Sequence, residues 1–132
     1  MTGRPRRCGW LDLVALRYSA QVNGMDALCI TKLDILDELE EIKVCVGYET
    51  KGRQETDFPA SLALLENCKP VFKTFPGWKA NTFALRKLED LPSNARKYVD
   101  FLEDFLQMPV AMISTSPERD DTVFYPAFDS LC

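Results

Sequence analysis

Apolar positions recur along this chain in two rhythms, one helical and one extended, and the two alternate from end to end. Across 9–23, Trp10, Val14 and Tyr18 stand at i, i+4 and i+8 with Leu11, Leu13 and Leu16 beside them. That spacing predicts an amphipathic helix, which Asn23-Gly24 stops. Ala27-Leu28-Cys29-Ile30 is a short apolar run closed by Thr31, the pattern of a buried strand. Val44, Val46 and Tyr48 alternate through 41–48 and predict a second strand, followed by a Lys51-Gly52 turn. A weaker helix is expected over 59–66, and a strand over 70–74 that Pro76-Gly77 ends. The clearest helix follows Leu91-Pro92, with Ser93 as its N-cap and a stripe of Tyr98, Val99, Leu102, Phe105 and Leu106. A further buried strand, 110–113, runs into Ser114-Thr115-Ser116-Pro117. Helices alternating with short apolar strands indicate an α/β fold. With no internal repeat and no low-complexity linker, residues 1–132 are expected to form a single unit.

Composition narrows the class. A chain of 132 residues suits one domain, and 46% hydrophobic with 27% charged residues is ordinary for a soluble globular protein. The net charge of -4 and pI near 4.9 argue against a dedicated nucleic-acid binder, whose domain should be basic. The charge is unevenly spread: 1–7 holds three arginines and no acid, whereas 34–41 holds five acids and no base. A local basic patch on an acidic protein suits a small anionic ligand better than a long polyanion. Cys8, Cys29, Cys45, Cys68 and Cys132 are odd in number and form no C-x-x-C pair. They are expected to be reduced thiols in the core of a cytoplasmic protein. No apolar run approaches ~18 residues and no signal peptide is visible, so no membrane association is expected. Histidine is absent, which removes the commonest general acid/base and the commonest metal ligand.

Candidate chemistry gathers in loops. Ligands of open α/β sheets sit beyond the carboxyl ends of the strands. The strands over 27–30 and 110–113 both run into polar, hydroxyl-bearing loops there, so Thr31-Lys32-Leu33-Asp34 and Ser114-Thr115-Ser116 are the pair best placed to share one ligand. A carboxylate two residues after a lysine can choose guanine over adenine, because it accepts from the ring N–H and the exocyclic amine together. Adenine leaves such a buried acceptor unpaired. By itself the tetrapeptide fits a solvated strand-to-helix loop, with Asp34 as an N-cap, better than a base-binding site. Thr2-Gly3-Arg4-Pro5-Arg6-Arg7 combines glycine, proline and forked cations, the make-up of an anion-binding loop. A disordered basic arm is the other meaning of such a start. Gly47-Tyr48-Glu49-Thr50-Lys51-Gly52-Arg53-Gln54 has the glycine spacing of a phosphate loop, but Arg53 and Gln54 replace the required Lys and hydroxyl, so it reads as a hairpin turn. The acids Asp34, Asp37, Glu38, Glu40 and Glu41 read as a solvated helical face rather than a metal site.

Five segments in order, spanning nearly the whole chain, resemble the C-terminal part of the adenylosuccinate synthetases, the GTP-dependent enzymes of purine biosynthesis. They are Thr2-Gly3-Arg4-Pro5-Arg6-Arg7 with Gly9-Trp10-Leu11-Asp12, then Thr31-Lys32-Leu33-Asp34, then Pro76-Gly77-Trp78, then Leu91-Pro92 with Tyr98, and Ile113-Ser114-Thr115 with Pro117 and Arg119. The resemblance turns the reading of Asp34 toward guanine. It implies the C-terminal part of a phosphate-loop-NTPase-like nucleotide-binding fold with a mainly parallel sheet. It also implies a cytoplasmic, homodimeric enzyme that ligates IMP and L-aspartate to adenylosuccinate with GTP and Mg²⁺, through a 6-phosphoryl-IMP intermediate attacked by the aspartate amine. By resemblance, Thr2, Gly3, Arg4, Pro5 and Arg6 grip the aspartate carboxylates. Arg4 also reaches IMP and Arg6 the GTP side, while Lys32, Leu33, Asp34, Ser114, Thr115 and Ser116 contact guanine.

The departures bear on activity. The family's phosphate loop, catalytic aspartate and catalytic histidine belong to a portion not matched here, so this chain is expected to hold no catalytic residue and no Mg²⁺ ligand. The arginine loop then reads as an interior substrate loop of a larger enzyme. Position 116 is Ser where many relatives carry Gly, and 125–132 match only loosely. A non-catalytic guanine-nucleotide-binding or regulatory module fits the same pattern, as does a nucleic-acid binder using its basic arm, which the acidic pI opposes. The purified 132-residue chain is expected to make no adenylosuccinate from IMP, aspartate and GTP; product formation above a protein-free blank would overturn this.

Overall fold

The computed structural model describes Gly3 and residues 7–130. Its strands form two small sheets. The first is centred on β3 (Glu41–Thr50), which pairs antiparallel with β5 (Lys69–Pro76), antiparallel with the short β4 (Arg53–Glu55) and parallel with β1 (Leu11–Asp12). In the second, β2 (Leu28–Ile30) lies parallel to β6 (Val110–Ser114), which pairs antiparallel with β7 (Thr122–Phe124). The α/β class holds, but the expected mainly parallel sheet does not. Three of five strand pairings are antiparallel: β4 folds back on β3 through a tight turn, β5 returns along β3 after residues 56–68, and β7 folds back on β6.

Helix α1 (Leu13–Asn23) begins four residues later than the apolar spacing suggests. Asp12 is the reason. Its carboxylate accepts from the Ala15 N–H at 3.0 Å and caps the helix, while its backbone is extended and pairs with β3. Trp10 and Tyr18, read as part of the helical stripe, are therefore exposed, and Leu13, Val14 and Ala20 are the buried face. The Asn23-Gly24 stop is as expected: Gly24 adopts φ 60°, a left-handed cap that glycine reaches without strain. The Lys51-Gly52 turn closes the β3–β4 hairpin with φ of 51° and 75°, the backbone of a two-residue primed turn. The glycine-spaced segment is thus a hairpin and not a phosphate cradle.

Helix α2 (Leu62–Asn67) is short, and α3 (Ser93–Leu106) is the helix around which the core is built. Ser93 does not cap it. The cap residue is Pro92, no side chain caps the helix, and Ser93 is the first helical residue. Ala95, Tyr98, Val99, Leu102 and Leu106 are buried, with Phe105 only partly so. They pack into one apolar cluster with Ile42 and Val44 of the first sheet, Val110 and Ile113 of the second, and Leu13 of α1. A smaller cluster of Val14, Cys45 and Tyr48 lies behind β3, where the Tyr48 hydroxyl donates to Asp12 at 2.6 Å. Among the described cysteines only Cys45 is buried; Cys8 and Cys29 are exposed and Cys68 is intermediate, so the expectation that all are core residues fails. No helix among the described residues is long and apolar enough to cross a membrane.

One close approach holds the two ends of this layout together. A Cβ on Gly77 would fall 1.8 Å from the Leu39 carbonyl oxygen, and the Gly77 N–H donates to the Glu40 carbonyl at 2.8 Å. The Gly77 carbonyl in turn accepts from the Asn94 side chain on α3 at 2.9 Å. The obstruction is backbone, so it cannot rotate away. Gly77→Ala is expected to lower stability by about 3 kcal/mol, read as a shift of the denaturation midpoint.

Burial pushes the Tyr98 and Tyr125 phenols up to about 12. Between roughly pH 10 and that value the unfolded chain releases phenolic protons that the folded chain keeps, so stability falls as pH rises. The melting temperature is expected to drop over this window, and Tyr98→Phe to flatten the drop.

Candidate nucleotide-binding site

The register of β2 on β6 decides which loops meet. Ile30 stands beside Ile113, so two parallel strands end at the same sheet edge and release residues 31–37 and 115–121 side by side. Between those loops lies a cleft of about 230 Å³ lined by Thr31, Lys32, Asp34, Ser114, Ser116 and Pro117. The two segments that the sequence singled out for one ligand are thus brought together across a single opening.

Their side chains do different jobs. Lys32 is exposed and its backbone sits at φ 61°, a left-handed conformation that costs a non-glycine residue on the order of 1 kcal/mol. That turn takes the chain out of β2 and swings Leu33 inward, where it is 1% exposed and joins the core. Asp34 opens a single 3-10 turn (Asp34–Leu36). It does not act as an N-cap: the cap position is Leu33, and no side chain caps the turn. The Asp34 carboxylate is half-exposed at the cleft with no hydrogen-bond partner among the described residues, so both oxygens are open to a ligand. On the opposite wall, the Ser114 hydroxyl donates to the Ser116 carbonyl at 3.0 Å.

Thr115 does not reach the cleft. It is fully buried, its N–H donates to the Asp121 carbonyl at 3.1 Å, and its hydroxyl lies 2.8 Å from the Leu85 carbonyl. Leu33 and Thr115 anchor their loops, and their side chains are not on the surface a base would touch.

Two carboxylates that sequence reasoning passed over hold these loops. Asp37, read as part of a solvated acidic face, accepts from the Trp78 indole N–H at 2.6 Å, the Thr82 N–H at 2.7 Å and the Thr82 hydroxyl at 2.7 Å. The signal was Trp78: a buried indole needs an acceptor, and the acidic run supplies several. Asp121 is 5% exposed and accepts from the Ser116 hydroxyl at 2.7 Å and from the Arg86 guanidinium at 2.8 and 2.9 Å. The Ser116 hydroxyl, and after it the Arg86 side chain, hold this carboxyl below its ordinary range. Ser116 thereby turns its hydroxyl away from the cleft, and that oxygen also accepts from the Glu118 N–H at 2.9 Å.

The arginine loop is described only in part. Gly3 has φ 58° and Arg7 is exposed, while Thr2, Arg4, Pro5 and Arg6 lie outside the described residues. No cluster of three or more His, Cys, Asp or Glu among the described residues could hold a metal ion.

The family model described as adenylosuccinate synthetase matches residues 1–123. Curated adenylosuccinate synthetases from Aquifex aeolicus and Acaryochloris marina are 53% and 52% identical over 123 and 122 residues. Those matches take in 93% and 92% of this chain but only 28% and 27% of the relatives' own lengths. A solved structure of fully ligated adenylosuccinate synthetase from Plasmodium falciparum superposes with a TM-score of 0.87 at 36% identity, covering 94% of this chain and 30% of that one. The chain spans under a third of the proteins it matches, and it belongs to the adenylosuccinate synthetase family.

Proposed function

We propose that this chain is the base- and substrate-recognising portion of a GTP-dependent ligase that joins IMP and L-aspartate into adenylosuccinate. The observation that carries the reading is the Asp34 carboxylate, without a hydrogen-bond partner among the described residues at a cleft that two parallel strands build from both candidate loops. An ionised carboxylate there accepts the ring N–H and exocyclic amine of guanine as a pair. Adenine presents no such pair and leaves the oxygens without donors. The exposed Lys32 stem borders the cleft and can cover a base face, while Ser114 and Ser116 line the other wall.

The remaining roles follow from the family resemblance. Thr2, Gly3, Arg4, Pro5 and Arg6 bind the aspartate carboxylates, Arg4 extends to IMP and Arg6 to the GTP side. The order of the motifs supports reading this chain as the enzyme's C-terminal portion. The phosphate loop, the Mg²⁺ ligands and the acid–base residues then belong to the remainder of a homodimeric, cytoplasmic enzyme. This division of labour matches the chemistry in hand: forked cations and a carboxylate for recognition, and no histidine for proton transfer.

Asp34→Asn tests the assignment. The carboxamide replaces one acceptor with a donor, so in the complete enzyme the KM for GTP should rise about tenfold or more while those for IMP and aspartate stay within about twofold. An unchanged KM for GTP would remove Asp34 from the guanine site.

A further inference from the structure

Both walls of the cleft are tied to one segment that does not line it. Residues 78–86 run beneath the two loops with no regular secondary structure. At one end, Trp78 and Thr82 deliver three donors to the Asp37 carboxylate, all within 2.7 Å. At the other, the Leu85 carbonyl lies 2.8 Å from the Thr115 hydroxyl, and Arg86 holds Asp121, which holds Ser116. The segment is a strap with one wall of the cleft fastened to each end.

Asp37 is the fastening with the shortest route to the ligand. Its N–H donates to the Asp34 carbonyl at 3.2 Å, closing the 3-10 turn on which Asp34 sits. Its carboxylate has no cationic partner among the described residues; three neutral donors satisfy it. That arrangement defines direction as well as distance. Oδ2 takes the Thr82 N–H, and Oδ1 takes the indole N–H and the hydroxyl, so the group can neither rotate nor slide without losing a bond. Thr82 is fully buried and Trp78 nearly so, so a donor freed by a change at Asp37 is left without its partner on the inner side of the loop.

We propose that Asp37 is a positioning residue for nucleobase selection: through Trp78 and Thr82 it fixes where the Asp34 carboxylate stands relative to the Ser114–Ser116 wall. The proposal rests on the guanine reading of Asp34. It adds that selectivity is set by a carboxylate that touches no substrate.

The test uses the complete enzyme that carries this segment and compares GTP with ITP, which lacks the exocyclic amine. Asp37→Asn puts an amide donor where Oδ2 meets the Thr82 N–H, and should lower the preference for GTP over ITP in kcat/KM about fivefold to tenfold. Thr82→Val removes only the hydroxyl donor and should shift the preference the same way by about threefold, which keeps the test alive if Asp37→Asn fails to fold. The KM for IMP and for aspartate should move less than about twofold in both. A lowered melting temperature with an unchanged GTP-to-ITP preference in the variants that fold would show a purely structural role and overturn the proposal. Asp34→Asn run in parallel separates the two claims. If it collapses the preference while the Asp37 and Thr82 variants do not, the guanine reading stands and the positioning role falls. If Asp34→Asn also leaves the preference intact, both fall.

Discussion

Ile30 and Ile113 lie side by side in a parallel ladder, and from that register their two strands leave the sheet at the same edge. Parallel neighbours end in the same direction, so their exit loops must share a mouth. Helix α3 makes the pairing possible by covering the strands with Tyr98, Val99 and Leu102, and the buried Val110 and Ile113 keep β6 fixed against it. Had β2 and β6 run antiparallel, Asp34 and Ser116 would stand at opposite ends of the sheet and could not share a ligand.

The loops that meet there lack the ladder hydrogen bonds that hold strands in place, so side chains supply the order. Each loop turns on a carboxylate whose oxygens are hydrogen-bonded, Asp121 buried and Asp37 partly so. Asp37 is held by a tryptophan, a hydroxyl and a backbone N–H, and Asp121 by a serine and an arginine. Losing a partner would be costly for the buried Asp121 carboxylate and for the buried Thr82 donors that meet Asp37, so these contacts restrict both loops. Asp34, in the same acidic stretch as Asp37, is left open. One carboxylate of the stretch is taken up by loop architecture, while the other lines the cleft without a hydrogen-bond partner among the described residues.

Elements with strong local signals were legible in the sequence: the Gly24 stop, the Lys51-Gly52 hairpin, the body of α3 and the two apolar strands that feed the cleft. The misreadings occurred where one residue served two masters. Asp12 caps α1 and pairs with β3 at once, so the helix starts late and Trp10 and Tyr18 face solvent. Pro92 took the cap position expected of Ser93. Thr115 and Leu33 stand within the motifs, and their side chains turn inward to fasten the loops, which neither spacing nor residue type announces. Asp37 could not be told from its acidic neighbours, since its partners are 41 and 45 positions away.

The sequence alone determined the chemistry on offer: a cluster of arginines, a carboxylate after a lysine, and no histidine for proton transfer. Residue types and short spacings carry that information, and they survive without a fold. Which of those groups face a common space was decided only by tertiary structure. Strand direction, the inward turn of Leu33 at Lys32, and the strap from Trp78 to Arg86 all rest on contacts between residues far apart in the chain. Local pattern cannot report such contacts, because the same acidic run reads alike whether its members meet water, a buried indole or a nucleotide base.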